Sequence, residues 1–433
     1  MADNNLESFL RQDNFELISS EGIKDSSLTT WVYFDGRNYG TGEDIKEPLR
    51  EVYFSDGSPV TEKNEGSAYM TWNHEMQKMV IEGFVQGEQD GDHPQTLFDF
   101  LSYGLRDCVD KGSTEYMVIM ASHGNGMFGF GGDENHSRRR LALSNGDMTV
   151  AMRAALESVE GAPEKFDVIG FDACSMQSVD VADDLRHATK YLLASEAAEP
   201  AEGWTYNYLD LVSTASALGI AENLYNNFLS HSSAGDDTVP KLLSIADMSK
   251  FSNFLSAFDS LSEELNREML KDQNVHNIIK RAHIESIAFV GGTDPVDTAF
   301  PSSIDVGSFL DQFKLFCEPQ GGSELDLRLQ EAAALYASQF ISRGVGPGAP
   351  IAATGMSIMF PRKEMMEKDN DLYQNLLDTS YHTSTKDLPR WLEFLENYYS
   401  STFLGEMIDG SVCTKNHGNS AKSSLRGTQS WHG

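Results

Sequence analysis

Two short apolar runs, Tyr116 to Ala121 and Phe166 to Phe171, constrain this chain more than any other feature, because each ends on a residue that can do chemistry. The first leads into Ser122, His123, Gly124, Asn125 and Gly126, and the second into Asp172, Ala173 and Cys174. Runs this short, closed by Gly or Asp, match the inner strands of a parallel sheet, whose two faces are both covered. In open α/β sheets, ligands collect beyond the carboxyl ends of such strands. A His and a Cys delivered there by neighbouring strands would meet as base and nucleophile.

The surrounding pattern extends this reading. Residues 1–27 read as a loosely held arm. Thr29 to Asp35 reads as a first strand, and residues 68–86 have helical periodicity. A helix over 95–111 precedes the His strand, the helix after Asp147 leads into the Cys strand, and another helix spans about 176–187 before a strand at Tyr191 to Glu196. Alternation of strand and helix from about 29 to 196 predicts a mostly parallel sheet covered by helices on both faces. The second half is less regular. It holds a strand at 239–247, helices beginning near Asp247 and Asp305, helix over 323–343, a strand at Ile351 to Phe360, and helix around 387–400. The expected organisation is an N-terminal arm (1–27), a catalytic core (28–230), a C-terminal α+β region (231–405) and a disordered tail (406–433).

Composition removes several function classes. The formal charge is −33 over 433 residues, so the surface repels phosphate and nucleic acid is excluded as a partner. No apolar stretch approaches the roughly 20 residues that span a bilayer. The polar, acidic first twenty residues lack the pattern of a secretory signal, which predicts a cytoplasmic protein without a membrane partner. Cys108, Cys174, Cys317 and Cys413 form no CxxC pair, which argues against a zinc site or a disulfide framework. Cys108 and Cys317 fall in helix-like segments as small buried hydrophobes. No cofactor is called for. The acids of Glu88 to Asp92 and of Asp133-Glu134 read as solvated loop residues, calcium being the one metal they could hold. Gly124, Gly126 and Gly129 fit GxGxxG, but they open a Gly- and charge-rich loop and not a helix, so a dinucleotide site fails on context.

Amide hydrolysis by a thiol needs a nucleophilic sulfur, a proton donor for the leaving amine and dipoles for the oxyanion. Cys174 lies between a strand end and a helix start, where free backbone amides favour negative charge. Gly124 and Gly126 let the backbone approach a substrate, and the amides of Gly124 and Cys174 are candidates for the oxyanion hole. The order, His before Cys at a distance of roughly 50 residues, is that of caspase-type peptidases.

In sequence the chain resembles the clostripain family of cysteine peptidases, of the caspase, legumain and gingipain clan. The motifs that carry the likeness are Asp92 to Leu97, Ser122-His123-Gly124-Asn125-Gly126, Gly170 to Met176, Tyr191 to Glu196 and Pro200 to Tyr206, with weaker echoes at 242–251, 302–310 and 353–361. The resemblance implies a caspase-like α/β/α sandwich with a mostly parallel sheet, and an endopeptidase with His123 and Cys174 as its dyad. It also implies that Asp172 lines an S1 pocket for Arg or Lys, with Glu202 a second acid nearby; a carboxylate there would pair with an entering cation. The other reading of Asp172 is a helix N-cap near Cys174. Maturation in the family involves cleavage at a basic residue between the two strands, which implicates Arg138, Arg139 and Arg140. Partners are then peptides or proteins bearing basic residues. Ser175 and Ser122 stand where the family has bulkier residues, marking a divergent branch. Two rival readings are a silent module that binds basic peptides and a clan peptidase with a non-basic preference.

Overall fold

A computed structural model describes residues 6–24, 27–35, 52–60, 67–85, 89–133, 139–206, 216–230, 240–290, 301–317, 323–362 and 387–400. Contrary to the expected loose arm, the described residues open with helix α1 (Glu7–Ser19). It is anchored by Ile18 in a small core and by Glu16, whose Oε2 accepts the Tyr206 amide at 3.1 Å, and a buried Glu7–Arg11 pair at 2.6 Å lies within it. Four strands come next, β1 (Trp31–Phe34), β2 (Val52–Phe54), β3 (Ser67–Asn73) and β4 (Lys78–Val85), forming a separate sheet in the order β1-β3-β4-β2. The helix expected over 68–86 is therefore a hairpin. Ala68, Met70 and Trp72 alternate into the same core as Met79 and Ile81, which is a period of two. The Asn73 side chain accepts the amides of Glu75 and Met76, a local turn that competes with helix.

Helix α2 (Pro94–Asp110) leads to β5 (Met117–Ala121), and a two-stranded hairpin of β6 (Phe130–Asp133) and β7 (Arg139–Leu141) lies beyond His123. Helix α3 (Asp147–Ser158) returns the chain to β8 (Phe166–Asp172), short helix α4 (Val179–Leu185) connects it to β9 (Thr189–Ala194), and α5 (Ala217–Ser230) precedes β10 (Leu242–Asp247). Helices α6 (Met248–Lys271) and α7 (Gln273–Glu285), strands β11 (Ala288–Val290) and β12 (Pro301–Asp305), helices α8 (Val306–Phe316) and α9 (Glu324–Ser338), strands β13 (Phe340–Val345) and β14 (Ser357–Met359), and helix α10 (Pro389–Ser400) complete the described chain.

The central sheet has the order β13-β10-β9-β8-β5. Strands β5, β8 and β9 are parallel, β10 is antiparallel to β9, and β13 antiparallel to β10. Along β8, Ile169 and Phe171 join the large core formed with α2, α3 and α6, whereas Val168 faces the core of Trp204 and α5. The sheet is thus covered on both sides. Two readings of the second half change. The helix expected to reach residue 343 stops at Ser338, and Phe340–Val345 pairs with β10 as an edge strand. The strand expected from Ile351 shrinks to Ser357–Met359, because Gly355 (φ +105°) turns the chain just before it, and this strand belongs to a separate sheet with β11 and β12. Cys108 lies in α2 and Cys317 caps α8, both half-buried against the large core; Cys413 and the tail lie outside the described residues.

Candidate active site

Strand register brings the two reactive residues to one rim. Ala121 of β5 is the register partner of Asp172 of β8, so His123 and Cys174 each lie two residues beyond the same rung. Past that rung, the Ser122 amide reaches the Asp172 carbonyl at 3.4 Å. Gly124 then packs directly on the Cys174 backbone: a Cβ there would sit 2.1 Å from the Cys174 carbonyl oxygen and 2.8 Å from the Met176 side chain. Only glycine permits this approach.

His123 is half-buried, and its carbonyl accepts the Gly131 amide at 2.8 Å. The next residue, Gly132, gives its amide to Asp92 Oδ2 and passes close to the imidazole edge. Asp92 is thus buried beneath the His loop and is not the solvated acid expected from sequence. Asp133 lies in β6, and Glu88 and Glu134 lie outside the described residues. Among the described residues no group of three or more His, Cys, Asp or Glu is arranged to hold a metal ion.

The Cys174 thiol is buried, and its Sγ accepts the Glu199 amide at 3.3 Å. Burial pushes this thiol up to about 12, with the Glu199 and Asp172 carboxyls adding to the effect and the Glu199 amide opposing it. The resting group is therefore a neutral thiol, not the amide-stabilised thiolate that its sequence position suggested. The bonds Asn125 N–H to Gly129 and Gly131 N–H to His123 bracket the Gly124–Phe130 pairing, which leaves the Gly124 amide outside that ladder. The Cys174 amide bonds to no other described residue. Ser175, next in the chain, has φ +60°, a left-handed conformation uncommon for a non-glycine residue.

Asp172 is buried two residues before the thiol. Both its oxygens accept the Trp204 amide at 3.0 Å, and Oδ2 also accepts the Tyr206 hydroxyl at 3.0 Å. Burial raises it to about 6, against the stabilising Trp204 amide and Tyr206 hydroxyl. It is not a helix cap; Ser178 caps α4, accepting the Val181 amide. Glu202 is exposed on the turn, and the acid beside Asp172 is Glu199, held well above its usual range by burial and by Asp172. Asp13 of α1 is held up for the same reasons, burial first and then the Asp172 and Glu16 carboxylates. Sequence reasoning missed Asp13 and Glu199, and it placed Asp92, the first residue of a recognised motif, in solvent and not beneath the His loop. Glu199 adjoins the motif Pro200–Tyr206, which was its one available signal. Arg138 lies outside the described residues, while Arg139 and Arg140 lie in β7.

The sheet is mixed and not mostly parallel, with two parallel and two antiparallel pairings; lying between helical layers, with His and Cys beyond its neighbouring parallel strands, it defines a caspase-like α/β/α fold. The profile of the clostripain family matches residues 1–287; the chain belongs to that family and is a cysteine-type peptidase, a hydrolase. Among solved structures it is similar to a secreted C11 cysteine protease from Bacteroides thetaiotaomicron in complex with an irreversible peptide inhibitor, at 17% identity over 89% of this chain and 97% of that one, with a TM-score of 0.58. It is also similar to an inactive zymogen C11 protease from Parabacteroides distasonis, at 16% identity over 89% and 95% of the two chains, TM-score 0.58. At these identities the likeness establishes the fold. No curated protein sequence matches the chain significantly. No helix among the described residues is long and apolar enough to cross a membrane.

Proposed function

We propose that this peptidase is an endopeptidase that cleaves after Arg or Lys, with Cys174 as nucleophile and His123 as its base. The reading rests on one observation above others: the Ala121–Asp172 rung, from which both residues extend by the same two positions. Because Cys174 is a neutral thiol at rest, His123 removes its proton as the sulfur attacks the scissile carbonyl, not beforehand. The tetrahedral oxyanion lies against the amides of Gly124 and Cys174. His123 then returns the proton to the leaving amine, which departs with breakage of the C–N bond, and water hydrolyses the thioester with His123 again as base.

Asp172 supports the basic preference. It presents a carboxyl two residues from the sulfur, in a pocket where the described residues supply only neutral donors. Glu202, exposed on the turn beside it, adds negative potential at the entrance. Self-cleavage at Arg138, Arg139 or Arg140 fits the same preference, since this segment comes directly after the His loop. The reaction as written uses protein groups and water alone, so chelator is expected to leave its rate unchanged.

A fluorogenic panel with Arg, Lys, Asp and Asn at P1 tests the reading, run beside Cys174→Ala. Turnover confined to Arg and Lys, falling by a factor of about 10³ or more in the variant, is expected. Turnover of Asp or Asn substrates alone marks a peptidase of different preference, and none at all marks a binding module. Mass spectrometry of both proteins reads self-processing; identical fragments in each would remove it.

A further inference from the structure

Helix α1 lines a cavity of about 300 Å³ that opens between it and the facing strands β1 and β5. Leu10, Leu17, Met117 and Ile119 give this cavity apolar lining, and Asp13 and Asn14 are among its polar lining residues. Tyr206 also lines it, and the Tyr206 hydroxyl is the group that donates to Asp172. The cavity and the Asp172 pocket therefore share a wall.

Two independent observations point to a cation there. Four acids, Asp13, Glu16, Asp172 and Glu199, interact with one another; Asp172 and Glu199 share a side-chain hydrogen bond, and none of the four forms an ion pair with any described Lys, Arg or His. Like-charged carboxyls gathered without a counter-charge are costly unless they share protons or receive a cation. Beside them, Asn14 is only 5% exposed, and its Oδ1 has no hydrogen-bond partner. A buried acceptor left unpaired loses the water it had in the unfolded chain and gains nothing in return.

We propose that α1 completes the S1 pocket, with Asp13 and Asn14 binding the cationic head of an arginine-like side chain. This deepens the Arg/Lys reading and rests on it. The guanidinium carries five N–H donors in a planar fork and no acceptor. It therefore suits a site made of the Asp13 carboxylate and the Asn14 amide oxygen, with Asp172 adding negative charge across the shared wall. The methylene stem lies against the apolar lining, as long basic side chains do elsewhere. A segment more than a hundred residues upstream of the dyad thus sets which substrates the dyad meets.

The test uses full-length Cys174→Ala protein and n-butylguanidinium as probe, with n-butylurea as the uncharged control, read by calorimetry. Saturable binding of the cation, at least about tenfold tighter than of the urea, is expected. In the same background Asp13→Asn and Asn14→Leu should each weaken it about tenfold, the loss of one charge-assisted hydrogen bond, while Asn14→Asp retains it. Thermal melts confirm folding of each variant, and the two Asn14 variants decide the matter should Asp13→Asn not fold. Equal binding of cation and urea, or binding indifferent to both positions, overturns the proposal. Active protein that turns over Arg substrates with the same selectivity over citrulline in Asp13→Asn as in the parent also overturns it. Cation binding that depends on Asp13, in a protein that cleaves no Arg or Lys substrate, overturns the proteolytic preference and leaves the site standing.

Discussion

Asp172 shows how a buried carboxyl couples stability to pH. Its carboxyl is held near 6, above the usual carboxylate range, chiefly by burial. A raised acid binds more protons folded than unfolded, so its stabilising share is present below the unfolded value near 3.9 and is lost as pH rises through 6. Asp172→Asn removes that titration. The variant is expected to melt higher than the parent at pH 8, with the gap closing as pH falls toward 4, and to lose most of its turnover of basic substrates. Melting curves across that range, beside a P1 panel, check both halves; a gap that widens on acidification would reverse the sign. His123, Cys174 and Asp172 are legible from sequence because each closes a short apolar run. Asp13, Glu199 and the burial of Asp92 are not, since an acid in a helix or loop looks the same whether it is solvated or folded into a pocket.

At the level of elements, Gly124 and His283 each fasten segments that lie far apart in the chain. Gly124 lets the loop after β5 rest on the Cys174 backbone, and a methyl group there meets a carbonyl oxygen that cannot yield without moving Cys174. Gly124→Ala should therefore lower kcat/KM by a factor of about 10² or more while the far-ultraviolet circular dichroism stays near that of the parent. His283 joins α7 to the end of β14 and to α10: Nε2 meets the Phe360 carbonyl at 2.7 Å, and Nδ1 meets the Tyr398 hydroxyl at 3.0 Å. Burial drives its pKa down to about 3. The stability it contributes is present above the unfolded value near 6.5 and is lost as pH falls through that window to 3. His283→Leu should cost roughly 2–3 kcal/mol at pH 7 through the two unpaired groups and flatten the acid limb of the stability curve. Chemical denaturation at pH 7 and pH 5 measures both. The hairpin β3–β4 reads as helix from sequence because its apolar residues also satisfy a helical spacing. Pairing with β1 decides for strands, and no local window contains that partner.

Across the molecule, the large core runs from Leu97 to Tyr398 without a break at the boundary expected near residue 230. Strand β13 completes the edge of the central sheet, and Phe254 and Phe258 of α6 contact Tyr336 and Trp391 from the C-terminal third. A chain cut after residue 287 keeps the segment matched by the family profile but exposes this core. It is expected to lack a cooperative thermal transition and to aggregate, as read by calorimetry and size-exclusion chromatography. A monomeric fragment with a sharp transition would show that the first two thirds fold alone.

The strand ends that carry His123 and Cys174, the layered α/β class and the family can all be read from the order of residues, because apolar runs and reactive motifs are contiguous in the chain. The tertiary structure alone decided that the first strands form their own sheet, that the thiol is buried and neutral, and that α1 brings Asp13 beside Asp172. Those outcomes depend on pairing and desolvation between distant segments, and burial is a property that no stretch of residues possesses until another covers it.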